Sequence, residues 1–527
     1  MPRNLIQRYG GGGLLLAVTA GCVSQPALQT EYAQIAQNAA IAACDPDVEE
    51  TAALAIEETF TGEHPIEFYV ISALERNPEL LAANHRVTAQ AERIPQVTAL
   101  DDPMVSEQFY PLDDHSLQTA GGRLPSTLTL SQKFPWLSKL RVRGEVEEQE
   151  TQIALTQVAQ TQLRVAEQVK LTYYDLYANQ QVIEITESSR ELLEDLLQFA
   201  EARYRTGGSQ QDILRAQLEL DRVADQLIQL RRMLRVSQAD MAELLHTSPE
   251  VKPRAEDEVV LTDVPATIDA LYEAAVRCRP ELQERLHAII RDQRKRELAR
   301  LQYYPDFNVG LGWQAVTTDD AVASNANGND NFLVTVGFNL PIWRDKLRAG
   351  VREAEARVLT DARQYDAERD ETFRQIRRLI AQADAYQQQI ELYTKNIIPR
   401  AEQTLQVSVA DYRVGKVDFL QIVDNWNELL RFEIQLVRLR AQLGQTLASL
   451  ERVIGCQLAT LPDTFCPETT SVPTAPPPAL EGEEKSEQPK SRTKPQDEKS
   501  DDKSEQELIF SLPTDAELFP ADYQDSE

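Results

Sequence analysis

The chain has 527 residues and a formal net charge of −30, with 6% aromatic and 26% charged residues. That balance argues for long solvated helices rather than a compact globule. The acidity, with no basic stripe to offset it, argues against a nucleic-acid partner. No apolar run reaches the ~18–20 residues a spanning helix needs, so any crossing of a bilayer falls to strands.

At the start of the chain, Arg3 and Arg8 precede an apolar run from Leu14 to Val18 and then Thr19-Ala20-Gly21-Cys22. Residues 1–21 read as an export signal. The small residues before Cys22 are those of a bacterial lipobox, with Thr19 where leucine is usual. Acylation of Cys22 would add roughly 0.8 kcal/mol of membrane affinity per buried methylene. An N-terminal arm is expected over 22–64, and the first of two repeats over 65–248. A helical pattern runs from Pro65 to Ala99, until Asp101-Asp102-Pro103 breaks it. Residues 104–110 alternate weakly, and 113–125 form a polar loop. From Thr127 to Phe134, Leu128, Leu130 and Phe134 alternate with Thr127, Thr129, Ser131 and Lys133, as in a strand with one oily face. Pro135 stops it. A helix of on the order of 100 Å is predicted from Lys139 to Tyr204, then a glycine turn at Tyr204-Arg205-Thr206-Gly207-Gly208. Beyond it Leu220, Val223, Leu227, Leu230, Leu234, Ser237, Met241 and Leu244 make a heptad seam.

After a linker at 249–265 the series recurs over 266–458. Arg279-Pro280-Glu281-Leu282 matches residues 77–80, and Pro305 matches Pro103, both at an offset of 202. Phe307, Val309, Leu311 and Trp313 alternate with Asn308, Gly310 and Gly312. A second polar loop covers 317–331, and Phe332, Val334, Val336, Phe338 and Leu340 alternate up to Pro341, which matches Pro135 at 206. Tyr412-Arg413-Val414-Gly415 matches residues 204–207 at 208, and Leu429, Phe432, Leu436, Leu439, Leu443, Thr446 and Leu450 form a second seam. Landmarks in one order with slowly drifting offsets indicate an internal duplication. The tail over 459–527 is rich in proline and charge and is expected to be disordered.

Without Cys22, four cysteines remain (44, 278, 456 and 466), so three pairings are open. Closure of a small loop by Cys456 and Cys466 is one of them, and Cys278 reads as a buried thiol. His85 and His287 occupy equivalent repeat positions but lack a second ligand at helical spacing, so no metal site is expected. No nucleophile elbow, phosphate loop or HExxH motif occurs, so neither an enzyme nor a cofactor is expected.

The fold class that follows is mainly α with β: a duplicated long-helix assembly with four strands per chain. Four strands cannot close a barrel, and an open edge in lipid leaves backbone groups unpaired at several kcal/mol each. Chains must therefore pool strands, and three copies would give a twelve-stranded transmembrane barrel. Trp313, Phe307, Phe332 and Phe338 are expected to face lipid.

Duplicated strand-Pro-helix units, the FNLPIW-x-x-KLR join and the paired Tyr-Arg-x-Gly turns resemble the TolC-like outer-membrane efflux family, lipoprotein branch, over residues 65–456. The resemblance implies a homotrimeric duct through the outer membrane, continued by a periplasmic helical tunnel. It also implies two partners, a periplasmic adaptor and an inner-membrane transporter. In such a duct Tyr412 and Asp424 fall on a periplasmic constriction. Gln421 stands where a second aspartate can occur, and Asp418 is a candidate to supply that charge, or else a helix cap. Tyr204, Gly207, Gly208, Tyr412 and Gly415 form the turns an adaptor would grip. A periplasmic coiled-coil adaptor or scaffold is the competing reading, disfavoured by the four alternating strands.

Overall fold

A computed structural model describes residues 58–110, 117–258, 267–319 and 321–456. The expected export signal with Cys22, most of the arm, Cys44, Cys466 and the tail lie outside the described residues.

Repeat one opens with β1 (Gly62–Glu63) and the helices α1 (Ile66–Arg76), α2 (Pro78–Ala91) and α3 (Arg93–Thr98). The single helix predicted up to Ala99 is therefore cut twice. Pro78 disfavours a helical residue before it, so Asn77 is extended, and its side chain caps α2 by accepting from the Glu79 N–H at 3.0 Å. Pro95 removes the donor that would have carried α2 across Glu92.

Five strands form one antiparallel sheet: β2 (Met104–Phe109), β3 (Gln118–Thr119), β4 (Gly122–Phe134), and from repeat two β6 (Phe307–Thr317) and β7 (Asn331–Phe338). The order is β2-β4-β6-β7, with β3 a short side pair on β4. β4 extends five residues further toward the N-terminus than alternation predicts, past a register shift between Arg123 and Ser126 that spans Pro125. A separate two-residue strand, β5 (Pro253–Arg254), lies in the expected linker and pairs in parallel with β1. The hydroxyl of buried Tyr69 on α1 donates to the Arg254 carbonyl at 3.0 Å and ties this strap down.

The long helices are α4 (Leu137–Arg205), followed by α5 (Gln210–Leu244), and in repeat two α8 (Arg344–Leu392), which runs through a π-helical turn at Tyr393–Ile397 into α9 (Ile398–Arg413). The turn sits where Pro399 has no N–H to offer the preceding turn, so the ladder widens instead of breaking. Repeat two also holds α6 (Ile268–Cys278), α7 (Pro280–Leu301) and α10 (Phe419–Ile454). α7 and α10 lie in line along α4. Gln160 donates to Glu284 of α7 at 2.6 Å, while on α10 Arg452 pairs with Glu167 at 2.9 Å and Trp426 donates to the Ser189 carbonyl at 3.2 Å. At 22 residues, α7 is much shorter than its 36-residue continuation.

The predicted seams of α5 and α10 are buried or half-buried throughout. Asn179, which interrupts the apolar stripe of α4, donates to Ser237 of α5 at 3.0 Å, and Arg190 pairs at the surface with Glu194. α4 and α10 approach closely at Gly444, where any Cβ would lie 2.3 Å from the Tyr174 ring.

Candidate functional site

Two regions hold the sequence-predicted residues: the helical turns at one end and the exposed face of the sheet at the other.

At the turns, Gly207 (φ 105°) and Gly415 (φ 80°) take the left-handed conformation that lets each hairpin reverse at little steric cost. Gly208 does not; a Cβ there would meet the Arg203 backbone at 3.0 Å. The two turns are joined within the chain. Arg203 donates to the Tyr412 carbonyl at 3.1 Å, and its guanidinium lies 4.3 Å from the centre of the Tyr412 ring. Arg413 sits over Phe199 in the same way at 4.5 Å. Tyr412 is 4% exposed, and its hydroxyl donates at 2.9 Å to Asp212 in the first turn of α5, itself buried. Burial first, and the Asp212 carboxylate next, push Tyr412 up to about 12.

Asp418 is the N-cap of α10, accepting from the Phe419 N–H at 2.8 Å. Asp424, further along α10, is exposed and lines a surface groove with Gln226, Asn427, Glu428 and Arg431. Asn425 beside it points inward and donates to Ser408 of α9 at 2.6 Å. Tyr204 is half-exposed at the end of α4.

In the sheet, register puts every predicted aromatic on one face. Trp313 stands between Leu128 and Phe332, Leu311 between Leu130 and Val334, and Phe307 between Phe134 and Phe338. All of these side chains are exposed in the single chain, Phe332 at 82%. The other face carries Thr127, Thr129, Ser131, Asn308, Gln314, Asn331 and Thr335. Gly310 and Gly312 are needed there because a Cβ would strike Thr335 and Leu333 at 2.3 and 2.7 Å.

Where sheet meets helix, Lys139 is 1% exposed. Its Nζ donates to Asp306 Oδ1 at 2.8 Å and to the Tyr304 carbonyl at 3.0 Å, and the Trp136 N–H donates to the same carboxylate at 3.1 Å. In the sequence Lys139 marks only the start of a helix, and Asp212 and Arg203 carry no mark at all. Each acts through a partner far away in sequence, so no local pattern announces it. Cys278, expected to be buried, is exposed because it ends α6 just before the Arg279-Pro280 break. His287 donates through Nδ1 to the Gln149 side-chain oxygen at 3.0 Å. Among the described residues no group of three metal-ligating side chains converges, and no helix is long and apolar enough to cross a membrane.

A family model described as outer membrane efflux protein matches residues 70–246 and 271–456. The multidrug resistance outer membrane protein MdtP of Shigella flexneri is 26% identical over 204 residues, 36% of this chain and 39% of that protein, so the match spans about two fifths of that relative. Among solved structures, CusC aligns with TM-score 0.62 at 18% identity over 75% of this chain and 93% of its own. The outer membrane protein VceC of Vibrio cholerae aligns with TM-score 0.62 at 18% identity, covering 74% and 96%. The outer-membrane channel OprN gives 0.61 at 17%, covering 78% and 98%. At these identities the likeness is one of fold.

Proposed function

The chain belongs to the outer membrane efflux protein family, and we propose that it is the outer-membrane exit duct of a tripartite efflux or secretion system. The observation that carries this reading is the four-strand path β2-β4-β6-β7 of the sheet, with an apolar face, a polar face and two open edges, β2 and β7. In hydrocarbon each unpaired backbone group at those edges would cost several kcal/mol, and closure into a barrel removes them. Three copies close twelve strands, with Phe307, Trp313, Phe332 and Phe338 toward lipid and the threonines and asparagines lining water. The helices continue the lumen into the periplasm. On α5 the exposed Leu214, Leu218, Ile228 and Val236 supply an apolar stripe for the same contact between copies.

Conduction needs no bond chemistry, so the working parts are a gate and a docking surface. Tyr412 holds α9 to the start of α5 through Asp212, which keeps the two hairpin ends of each copy together. Asp424, repeated three times, forms a carboxylate ring that favours cations at the narrowed end. Asp418 serves chiefly as a cap. A periplasmic adaptor grips the turns at Tyr204 to Gly208 and Tyr412 to Gly415, and an inner-membrane transporter selects the cargo.

Membrane fractionation with planar-bilayer recording tests this. The duct reading expects outer-membrane material that conducts weakly while closed, and soluble periplasmic monomer would sink it. Asp424→Ala is expected to raise conductance and lower cation preference; unchanged values would remove Asp424 from the gate and leave the duct standing.

A further inference from the structure

Two thiols meet at the in-line joint between α7 and α10. Cys278 is the exposed last residue of α6, and Cys456 follows Gly455, the left-handed C-cap of α10 (φ 88°). The Gly455 backbone packs directly on Cys278: a Cβ on Gly455 would lie 2.7 Å from the Cys278 carbonyl oxygen and 2.8 Å from its carbonyl carbon. Cys456 is the next residue on, and its thiol has the Cys278 thiol as an electrostatic neighbour; a disulfide requires the two Cα atoms to stand within ~7 Å. Both cysteines line one cavity of about 410 Å³ with Val70, Leu163, Ala166 and Lys170. Arg279 fixes the joint, donating to the Val453 carbonyl at 3.4 Å and to Glu368 at 3.1 Å. The corresponding helix ends of repeat one carry Arg76 and Thr247, so the thiol pair belongs to repeat two alone.

We propose that Cys278 and Cys456 form a disulfide in the exported protein, an inference that rests on the periplasmic placement of this joint. The oxidant is a small or protein-borne disulfide, RSSR. The exposed Cys278 thiolate attacks it, forming a mixed disulfide and releasing RS⁻; the Cys456 thiolate then attacks the Cys278 sulfur and releases the second RS⁻. The two thiol protons end on the two leaving thiolates, so RSSR is reduced to two RSH as the protein pair is oxidised. Burial, then the neighbouring Cys278, push the Cys456 thiol up to about 12, so the closing step quickens as pH rises. The bond would fasten the end of α10 to the start of α7 and enclose nearly all of repeat two in one covalent loop.

Thiols are blocked with an alkylating agent before lysis, and the outer-membrane pool of the full chain is mapped by non-reducing peptide mass spectrometry. Purified folded protein is mapped in parallel after treatment with oxidised glutathione. A near-stoichiometric 278–456 linked peptide, lost on reduction and absent from Cys278→Ser, is the expected result. Alkylation of both residues in the membrane pool, or linkage of Cys456 to Cys466, overturns the proposal. Failure of glutathione to join the pair in folded protein overturns the geometry on which it stands. A soluble chain would instead defeat the duct reading, and the glutathione arm still reports on the thiol pair.

Discussion

The Tyr412 hydroxyl donates to a carboxylate 200 residues earlier in the chain, and both groups are buried. Removing the hydroxyl in Tyr412→Phe leaves Asp212 desolvated without its donor, a loss of about 1–3 kcal/mol. If this bond holds the closed end together, Tyr412→Phe should raise single-channel conductance several-fold, and Asp212→Ala should do the same. Conductance equal to wild type would reduce the bond to a packing feature. Other tyrosines bear on the alkaline stability of the helical part. Tyr69, Tyr173 and Tyr174 are each pushed up to about 12, first by burial, against about 10 when unfolded. The folded chain keeps these protons while the unfolded chain loses them, so their contribution is whole below pH ~10 and is lost as pH climbs toward 12. Each should remove about 1.4 kcal/mol of stability per pH unit in that window. Denaturant midpoints followed by circular dichroism should fall there, with a shallower fall in Tyr173→Phe. At this scale the sequence was least legible. Tyr412 stands out because its Tyr-Arg-x-Gly turn repeats, and Asp424 only through the family resemblance, but Asp212 looks like any acid in a first helical turn.

Elements were far more legible, because each one's period reports the media it separates. The alternation at 127–134, 307–315 and 332–340 follows from a sheet wet on one face only, and these strands sit within a few residues of those bounds. Seams on α5 and α10 were readable for the same reason. What escaped were the breaks: Asn77 and Glu92 cut a pattern that looked continuous, and Pro399 produced a π turn instead of an end. The junction of sheet and helix was also hidden, since Lys139 and Asp306 come from different repeats. Asp306→Ala would leave a buried ammonium without its counter-ion, and removal of one partner of such a pair costs about 3–5 kcal/mol. Lys139→Met with Asp306→Leu removes both charges together and should cost less. Urea midpoints of the two variants test this. A double variant as unstable as the single one would place the energy in packing rather than in the ion pair.

For the molecule as a whole, the duplication predicts how copies must join. Within one chain Phe134 of β4 stands opposite Phe307 of β6, and Gln132 opposite Val309. Pro135 and Pro341 align the end of β4 with the end of β7, and Pro103 and Pro305 align the start of β2 with that of β6. Carrying the pairing across these matches sets Leu340 of one copy against Val105 of the next, and Phe338 against Glu107. The parity is right, since all four residues lie on one face of the sheet, whereas a slip by one residue would set Gln108 or Ser106, from the opposite face, against them. Phe338→Cys with Glu107→Cys should therefore give oxidised, SDS-resistant dimers and trimers. The single variants should not, nor should Phe338→Cys with Ser106→Cys, which pairs opposite faces. Cross-linking through the mismatched pair would break the register, and with it the claim that the seam between copies repeats the seam inside each one.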